Sequence, residues 1–350
     1  MPKVSVILTS YNHAKYIREA IDSVLNQTFT EFELIIWDDA SIDESWEIIQ
    51  SYTDNRIKTF RNETSKRGVY GLNKAIAEIA QGKYIAIHHS DDIWEPTKLE
   101  KQIAFLESNA DIGAVFTNAL AIGEDSQSLI DKEHPYSSIF DQPNRSRQEW
   151  LNRFFYKGNA LCHPSVLIRK ECYEECGLYR YGFAQLADYD MWIRLALKYE
   201  IFVLPEKLIS FRVRDNEANS SGNTPKSRIR LSVEEQYIYK NFLTVETLDD
   251  INKIFPDAEK YNNTKGFIPE FIVAMMALES TRNNTKLLGF NLLYKLVNNK
   301  AKAEKIKALY DFDYKELVQL STNYDIFGVE DQILIQQRNQ QIQDKDQQIQ

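Results

Sequence analysis

The feature that most constrains the fold is an alternation of strand and helix patterns over the first ninety residues. KVSVILT (3–9) is a β-branched apolar run, the pattern of a strand buried on both faces. SYNHAKYIREAIDSVLNQ (10–27) then sets Tyr16, Ile17, Ala20, Ile21, Val24 and Leu25 at helical spacing. ELIIWDDAS (33–41) is a second buried strand and ends in two carboxylates. SIDESWEIIQSY (41–52) opens on a Ser/Asp cap pattern, with Ser41 suited to the cap, and predicts a helix. RIKTFRN (56–62) is a short third strand, GLNKAIAEIAQG (71–82) a third helix closed by Gly82, and KYIAIHH (83–89) a fourth strand. Such alternation predicts a parallel sheet wound with helices. In these sheets ligands bind beyond the carboxyl ends of the strands. Polar residues cluster at three of those ends: Thr9–Asn12, Asp38–Ser41 and His88–Asp92.

Further along, TKLEKQIAFLESN (97–109) predicts a helix and GAVFTNALAIG (113–123) a strand. A polar stretch, 123–147, reads as a loop. It leads to a helix near 147–156, a strand CHPSVLIRK (162–170), a helix DYDMWIRLALKYE (188–200) and a strand-like IFVLPEKLISFRVR (201–214). The polar run DNEANSSGNTP (215–225) marks a boundary or loop. From 226 to about 325 the strand signal fades and helical patterns such as PEFIVAMMALESTR and KLLGFNLLYKLVNN take over. The expected organisation is therefore an α/β domain at 1–225, a helical domain at 226–325 and a heptad-like tail at 326–350. In that tail Ile335, Ile342 and Ile349 recur every seven residues, the start of a coiled coil, although its other core positions are polar (Arg338 and Lys345, or Asn339 and Asp346). The repeat predicts self-association through the C-terminus. Because the chain stops inside it, the natural protein is expected to continue.

Bulk properties exclude several classes. A net charge of −9 gives no basic face for sequence-independent nucleic-acid binding. Three cysteines, Cys162, Cys172 and Cys176, make no disulfide framework and fit a reducing compartment. The N-terminal apolar run is too short for a signal peptide, and no segment approaches the roughly 20 apolar residues that span a bilayer. The expected location is cytoplasmic, with peripheral contact at the inner face of the membrane left open.

Four segments together carry a resemblance. KVSVILTSYNHAKYIREAIDSVLNQTFTEFELIIWDDAS resembles the opening of family 2 glycosyltransferases of the GT-A fold. GKYIAIHHSDDIWEP resembles their metal-binding D-x-D segment. HPSVLIRKECYEECGLY resembles the stretch that follows, and LADYDMWIRLA their E-D-x-D-x-W-x-R-L segment with the catalytic base. Order and spacing agree over about residues 3–215, most closely with the spore-coat polysaccharide type of enzyme. The resemblance implies a GT-A, Rossmann-like mixed sheet with flanking helices ahead of the helical C-terminal part.

It also implies roles. Asp39 would accept the N3–H of uracil or thymine, with Thr9 and Tyr11 contacting the same base; the other reading of Asp38 and Asp39 is a helix cap. Asp91 aligns with the carboxylate that holds Mn²⁺ or Mg²⁺ on the donor diphosphate. Ser90 would meet the ribose, and Asp92 would ligate or orient its neighbours. The first Asp of D-x-D is His89 here, which would reach the ribose, ligate Mn²⁺ in preference to Mg²⁺, or simply alternate with a packed His88 along one strand. Asp188 matches the base that deprotonates the acceptor hydroxyl, and could equally be a helix N-cap. The Glu that normally precedes it is Ala187. Arg212 and Arg214 stand where the family often has R-x-H near the diphosphate; the alternative is surface arginine.

The expectation is thus an inverting, metal-dependent enzyme moving a sugar from a UDP- or dTDP-sugar to a saccharide, lipid-linked or protein acceptor in surface polysaccharide or glycoconjugate assembly. The rival is a nucleotide-sugar-binding scaffold without turnover, favoured by His89 and Ala187. A nucleotidyltransferase ranks third, because TSYNHAKY lacks a glycine-rich phosphate loop.

Overall fold

The computed structural model describes residues 1–129, 136, 138–219 and 222–349, without the side chains of Glu217 and 343–349. Outside it lie 130–135 and 137 of the polar loop, 220 and 221 of the second loop, and the heptad side chains Lys345, Asp346 and Ile349. The chain divides into two compact units, Met1–Glu234 and Glu235–Gln350.

The first unit is built on one eight-stranded sheet of order β3-β2-β1-β4-β7-β6-β8-β5. Its strands are β1 (Val4–Ser10), β2 (Phe32–Asp38), β3 (Ile57–Arg61), β4 (Tyr84–His89), β5 (Ile93–Trp94), β6 (Ile112–Ile122), β7 (Leu167–Arg169) and β8 (Glu200–Arg212). The four N-terminal strands run parallel, as the alternation requires, while β7 is antiparallel to both β4 and β6 and makes the sheet mixed. Around it lie α1 (Ile17–Leu25), α2 (Ser45–Gln50), α3 (Tyr70–Lys74), α4 (Lys98–Ser108), α5 (Arg147–Lys157), α6 (Lys170–Cys176) and α7 (Ala187–Ala196). Val4, Val6 and Leu8 of β1, Leu34 and Ile36 of β2, and Tyr84 and Ala86 of β4 meet Ile17, Ile21 and Val24 of α1 in one core. The expected mixed sheet with flanking helices is what forms.

Local expectations need correcting in four places. The third helix is α-helical only to Lys74 and then widens into a π-turn, Ala75–Ile79. Gly82 is not its left-handed terminator. A Cβ there would lie 2.5 Å from Ser5 N and 2.6 Å from the Val4 carbonyl carbon, so glycine is needed for the close approach to β1. The strand expected at 162–170 shrinks to Leu167–Arg169, because His163–Ser165, with Pro164 inside it, forms a 3₁₀ turn. Finally, α2 starts at Ser45 and not near Ser41; Asp43 accepts from the Ser45 amide at 3.0 Å.

The helix α8 (Pro225–Ile238) carries the chain into the second unit. That unit holds α9 (Leu248–Ile254), α10 (Pro269–Leu278), α11 (Asn283–Val297), α12 (Lys300–Tyr310), α13 (Tyr314–Leu320) and α14 (Val329–Ile349), with no strand among its described residues. On α10, Phe271–Ala274 and Met276–Leu278 are all buried. Gly289 of α11 packs so closely that a Cβ would sit 2.8 Å from the Ala274 carbonyl oxygen. No helix of the described residues is long and apolar enough to cross a membrane.

Candidate active site

Parallel pairing sets the polar strand ends side by side. Thr9 of β1 lies opposite Trp37 of β2 on one side and His89 of β4 on the other. Asn12 and Ala40, both with positive φ, turn the chain beyond β1 and β2. The two turns are tied together: the Asn12 amide donates to Ser41 Oγ at 2.9 Å, and Asn12 Oδ1 accepts from the Ile42 amide at 2.8 Å. Tyr11 is half exposed at this edge.

The two aspartates after β2 part company. Asp38 is fully buried and structural: its carboxylate accepts from both the amide and the hydroxyl of Ser41, with Arg61 3.4 Å away. Asp39 turns out and binds the segment after β3. It accepts from Asn62 Nδ2 (2.6 Å), Ser65 Oγ (2.7 Å), the Lys66 amide (2.8 Å) and the Arg67 amide (2.9 Å). Burial raises the Asp39 carboxyl, and these four bonds outweigh it, so the group sits below its ordinary pKa. Neither aspartate caps α2. For Asp39 to accept from a base, one of its four donors must be exchanged; of its two side-chain donors, Asn62 and Ser65, Ser65 is the more exposed.

At the end of β4 the period of two separates the histidines. His88 points into the core, fully buried, with its ring 4.5 Å from that of Trp94. Burial lowers its pKa well below that of a free imidazole. His89 points the other way and joins Asp91 and Asp92 in a cluster whose ligand atoms lie within 4.8 Å of one another. Asp92 is buried, accepts the Arg212 amide through Oδ1 at 2.8 Å, and leaves Oδ2 without a hydrogen-bond partner, 3.5 Å from His89 Nδ1. Burial and the neighbouring Asp92 charge raise the Asp91 carboxyl. Burial opposes protonation of His89, yet Asp92, Asp91 and Asp188 together raise it. Two crowded carboxylates, one with an orphaned buried oxygen, form a hard-donor set suited to a divalent cation, which would relieve their repulsion. The imidazole beside them suits Mn²⁺ better than Mg²⁺.

Behind this cluster run contacts that the sequence did not announce. His89 Nε2 lies 3.2 Å from His163 Nδ1, and His163 Nε2 shares a 3.0 Å hydrogen bond with the Tyr179 hydroxyl. His13 Nδ1 is 2.7 Å from Ser90 Oγ and 4.0 Å from Asp91 Oδ1, while its Nε2 meets Arg214 Nη1 at 2.9 Å. Ser90 is thus buried against His13. Both histidines lay inside stretches already singled out, TSYNH and CHPSV, but only the fold brings them to Asp91 and His89.

The two arginines differ. Arg212 is buried, and its guanidinium is spent internally on the Asp91, Gly123 and Glu124 carbonyls, Ser126 Oγ and Glu19. It braces the Asp91 loop and offers no open fork. Arg214 is half-buried, lies close enough to Asp91 to lower its carboxyl, and keeps a buried Nε without a partner.

Asp188 sits in the first turn of α7. Its Oδ1 accepts from the Tyr189 amide at 2.7 Å and its Oδ2 from Asn159 Nδ2 at 3.0 Å. Burial pushes the carboxyl up to about 6 against these bonds and the favourable His89 charge. The N-cap residue is Leu186, so Asp188 is no cap. The charges of Asp188 and of the acidic cluster thus act on the same imidazole, His89.

The chain is similar to several known proteins. The model of glycosyl transferase family 2 matches residues 5–175. An uncharacterized glycosyltransferase of Methanocaldococcus jannaschii is 34% identical over 222 residues, covering 61% of this chain and 73% of that protein. The Escherichia coli UDP-Glc:alpha-D-GlcNAc-diphosphoundecaprenol beta-1,3-glucosyltransferase WfaP is 30% identical over 234 residues, 66% of this chain and 85% of its own. Among solved structures, S. aureus TarS 1-349 in complex with UDP-GlcNAc superposes with a TM-score of 0.56 at 20% identity, covering 88% of this chain and 83% of that one. That likeness is one of fold.

Proposed function

The chain belongs to glycosyltransferase family 2, and from that premise we propose that it moves a sugar from a UDP- or dTDP-sugar to an acceptor hydroxyl with inversion, in surface polysaccharide or glycoconjugate assembly. The observation that carries this reading is the cluster of Asp91 and Asp92 around His89, an imidazole on which the charge of Asp188 also acts. WfaP, 85% of whose length the match covers, is named for transfer from UDP-Glc to a diphosphoundecaprenol-linked sugar, which supports a nucleotide-sugar donor and a glycoconjugate setting.

In this reading Asp39 accepts the N3–H of the pyrimidine, beside Thr9 and Tyr11. Asp91, with Asp92 and His89 beside it, would hold Mn²⁺ or Mg²⁺. Once bound, such an ion neutralises the departing diphosphate. Arg214 adds a fixed positive charge for the same oxygens. Asp188, ionised, takes the proton of the acceptor hydroxyl as its oxygen bonds to the anomeric carbon. The bond from that carbon to the diphosphate oxygen breaks, and its electron pair leaves with the nucleoside diphosphate. Asn159, donating to Asp188 Oδ2, aims the other carboxylate oxygen. Positioning matters more than basicity for such a base.

UDP release from UDP-glucose and UDP-N-acetylglucosamine, with Mn²⁺ present, tests the reading. Asp188→Asn should cut it by 10²-fold or more, on the order expected for a general base, while UDP still binds. Release that survives the substitution would remove Asp188 from the chemistry.

A further inference from the structure

Helix α7 carries Asp188, yet its N-cap, Leu186, makes no side-chain cap bond. The segment that leads into the helix is held from elsewhere in the chain. Three consecutive backbone N–H groups, those of Ala184, Gln185 and Leu186, donate to the single carboxylate of Glu234 on α8. Ala184 N lies 2.8 Å from Oε1, and Gln185 N and Leu186 N lie 3.1 and 2.9 Å from Oε2. Glu234 is only 5% exposed. A buried carboxylate costs free energy unless its oxygens are satisfied, and here backbone donors satisfy both of them. The charge also lies at the positive end of the α7 dipole.

We propose that Glu234 is a positioning residue for Asp188. The Leu186 peptide is held at both ends of its hydrogen-bonding capacity: its N–H by Glu234, and its C=O by the Asp190 amide at 3.0 Å. Two residues later the Asp188 carboxylate is aimed by Tyr189 N and Asn159. Fixing the entry to α7 therefore fixes the root of the base. Ala187 has no carboxylate to do this locally, and Glu234 does it from 48 residues away. The hydrogen bonds of Glu234 go to these three amides and not to Asp39, His89, Asp91 or Asp92, so its loss should reach turnover without reaching donor affinity. A displacement of the base of about 1 Å is enough to cost on the order of 10²-fold in rate.

The inference rests on the reading of Asp188 as base, and the test separates the two. UDP release from UDP-glucose and UDP-N-acetylglucosamine is followed in the full chain, with Mn²⁺-dependent UDP affinity measured in parallel. Glu234→Ala is expected to lower kcat by about 10- to 100-fold, with donor KM and UDP affinity within about twofold of wild type. Glu234→Gln, which keeps one acceptor oxygen, should fall between the two and serves if the alanine variant does not fold. A kcat unchanged in both variants, or a fall in kcat matched by weaker UDP binding, overturns the positioning role. If those results accompany an inactive Asp188→Asn, only Glu234 is lost from the account. If Asp188→Asn retains turnover, the base assignment falls and Glu234 falls with it.

Discussion

At the scale of single residues, Asp188 carries the proposed chemistry. Its carboxyl is raised to about 6 because burial disfavours the ionised form. As the proposed base, Asp188 works only when ionised, so the sign is fixed. UDP release should be flat above about pH 7 and should fall about tenfold per unit once the pH drops well below 6. A rate profile that stays level down to pH 4 would contradict it. The residue scale also shows what single positions disclose before any fold is known. The alternation of His88 and His89 followed from the period of a strand, and burial bears it out, with His88 in the core and His89 at the acidic cluster. The partners of Asp39 did not follow from anything local. Asn62, Ser65, Lys66 and Arg67 reach it from the far side of β3, across 23 to 28 residues. His163 and Glu234 escaped notice for the same reason: 74 residues separate His163 from His89, and 48 separate Glu234 from Leu186.

At the scale of elements, the sheet places the site by register. Thr9, Trp37 and His89 sit in one row across β2, β1 and β4, so a slip of one residue would turn every side chain of β4 to the other face. Gly82 guards that register, since a Cβ there would meet the backbone of Val4 and Ser5 at 2.5–2.6 Å. Gly82→Ala should destabilise the protein by about 1–3 kcal/mol, the cost of overpacking against rigid backbone. Urea unfolding of the full chain measures this, and a change under 0.5 kcal/mol would show that the strands can part at no cost. The elements most legible in advance were those whose apolar period runs unbroken: β1, β2, β4 and α1. Where one residue competes with the period, the expectation failed. Pro164 turned three residues of an expected strand into a 3₁₀ turn, and Ala75–Ile79 widened into a π-turn without any signal in composition.

At the scale of the whole molecule, the family accounts for the first unit, while the second stands on its own packing. The buried run of α10 explains the apolar character of PEFIVAMMAL, which is too short to cross a membrane. On α14, Ile333, Leu334, Ile335 and Ile342 are all exposed, and the last two lie seven residues apart. A helix of 21 residues with that seam is marginal alone in water. We therefore expect the full chain to self-associate, with light scattering giving a larger particle mass per chain than for one ending at residue 325. Equal masses per chain would leave the exposed isoleucines without that role. The central claim, that three strand ends assemble one nucleotide-and-cation site, is tested most directly by calorimetric titration of UDP, with and without Mn²⁺, into wild type and Asp91→Ala. The account predicts tight binding only for wild type with Mn²⁺, and its loss in the variant. Binding that ignores both the ion and Asp91 would contradict it and return the HHSDD carboxylates to a structural role.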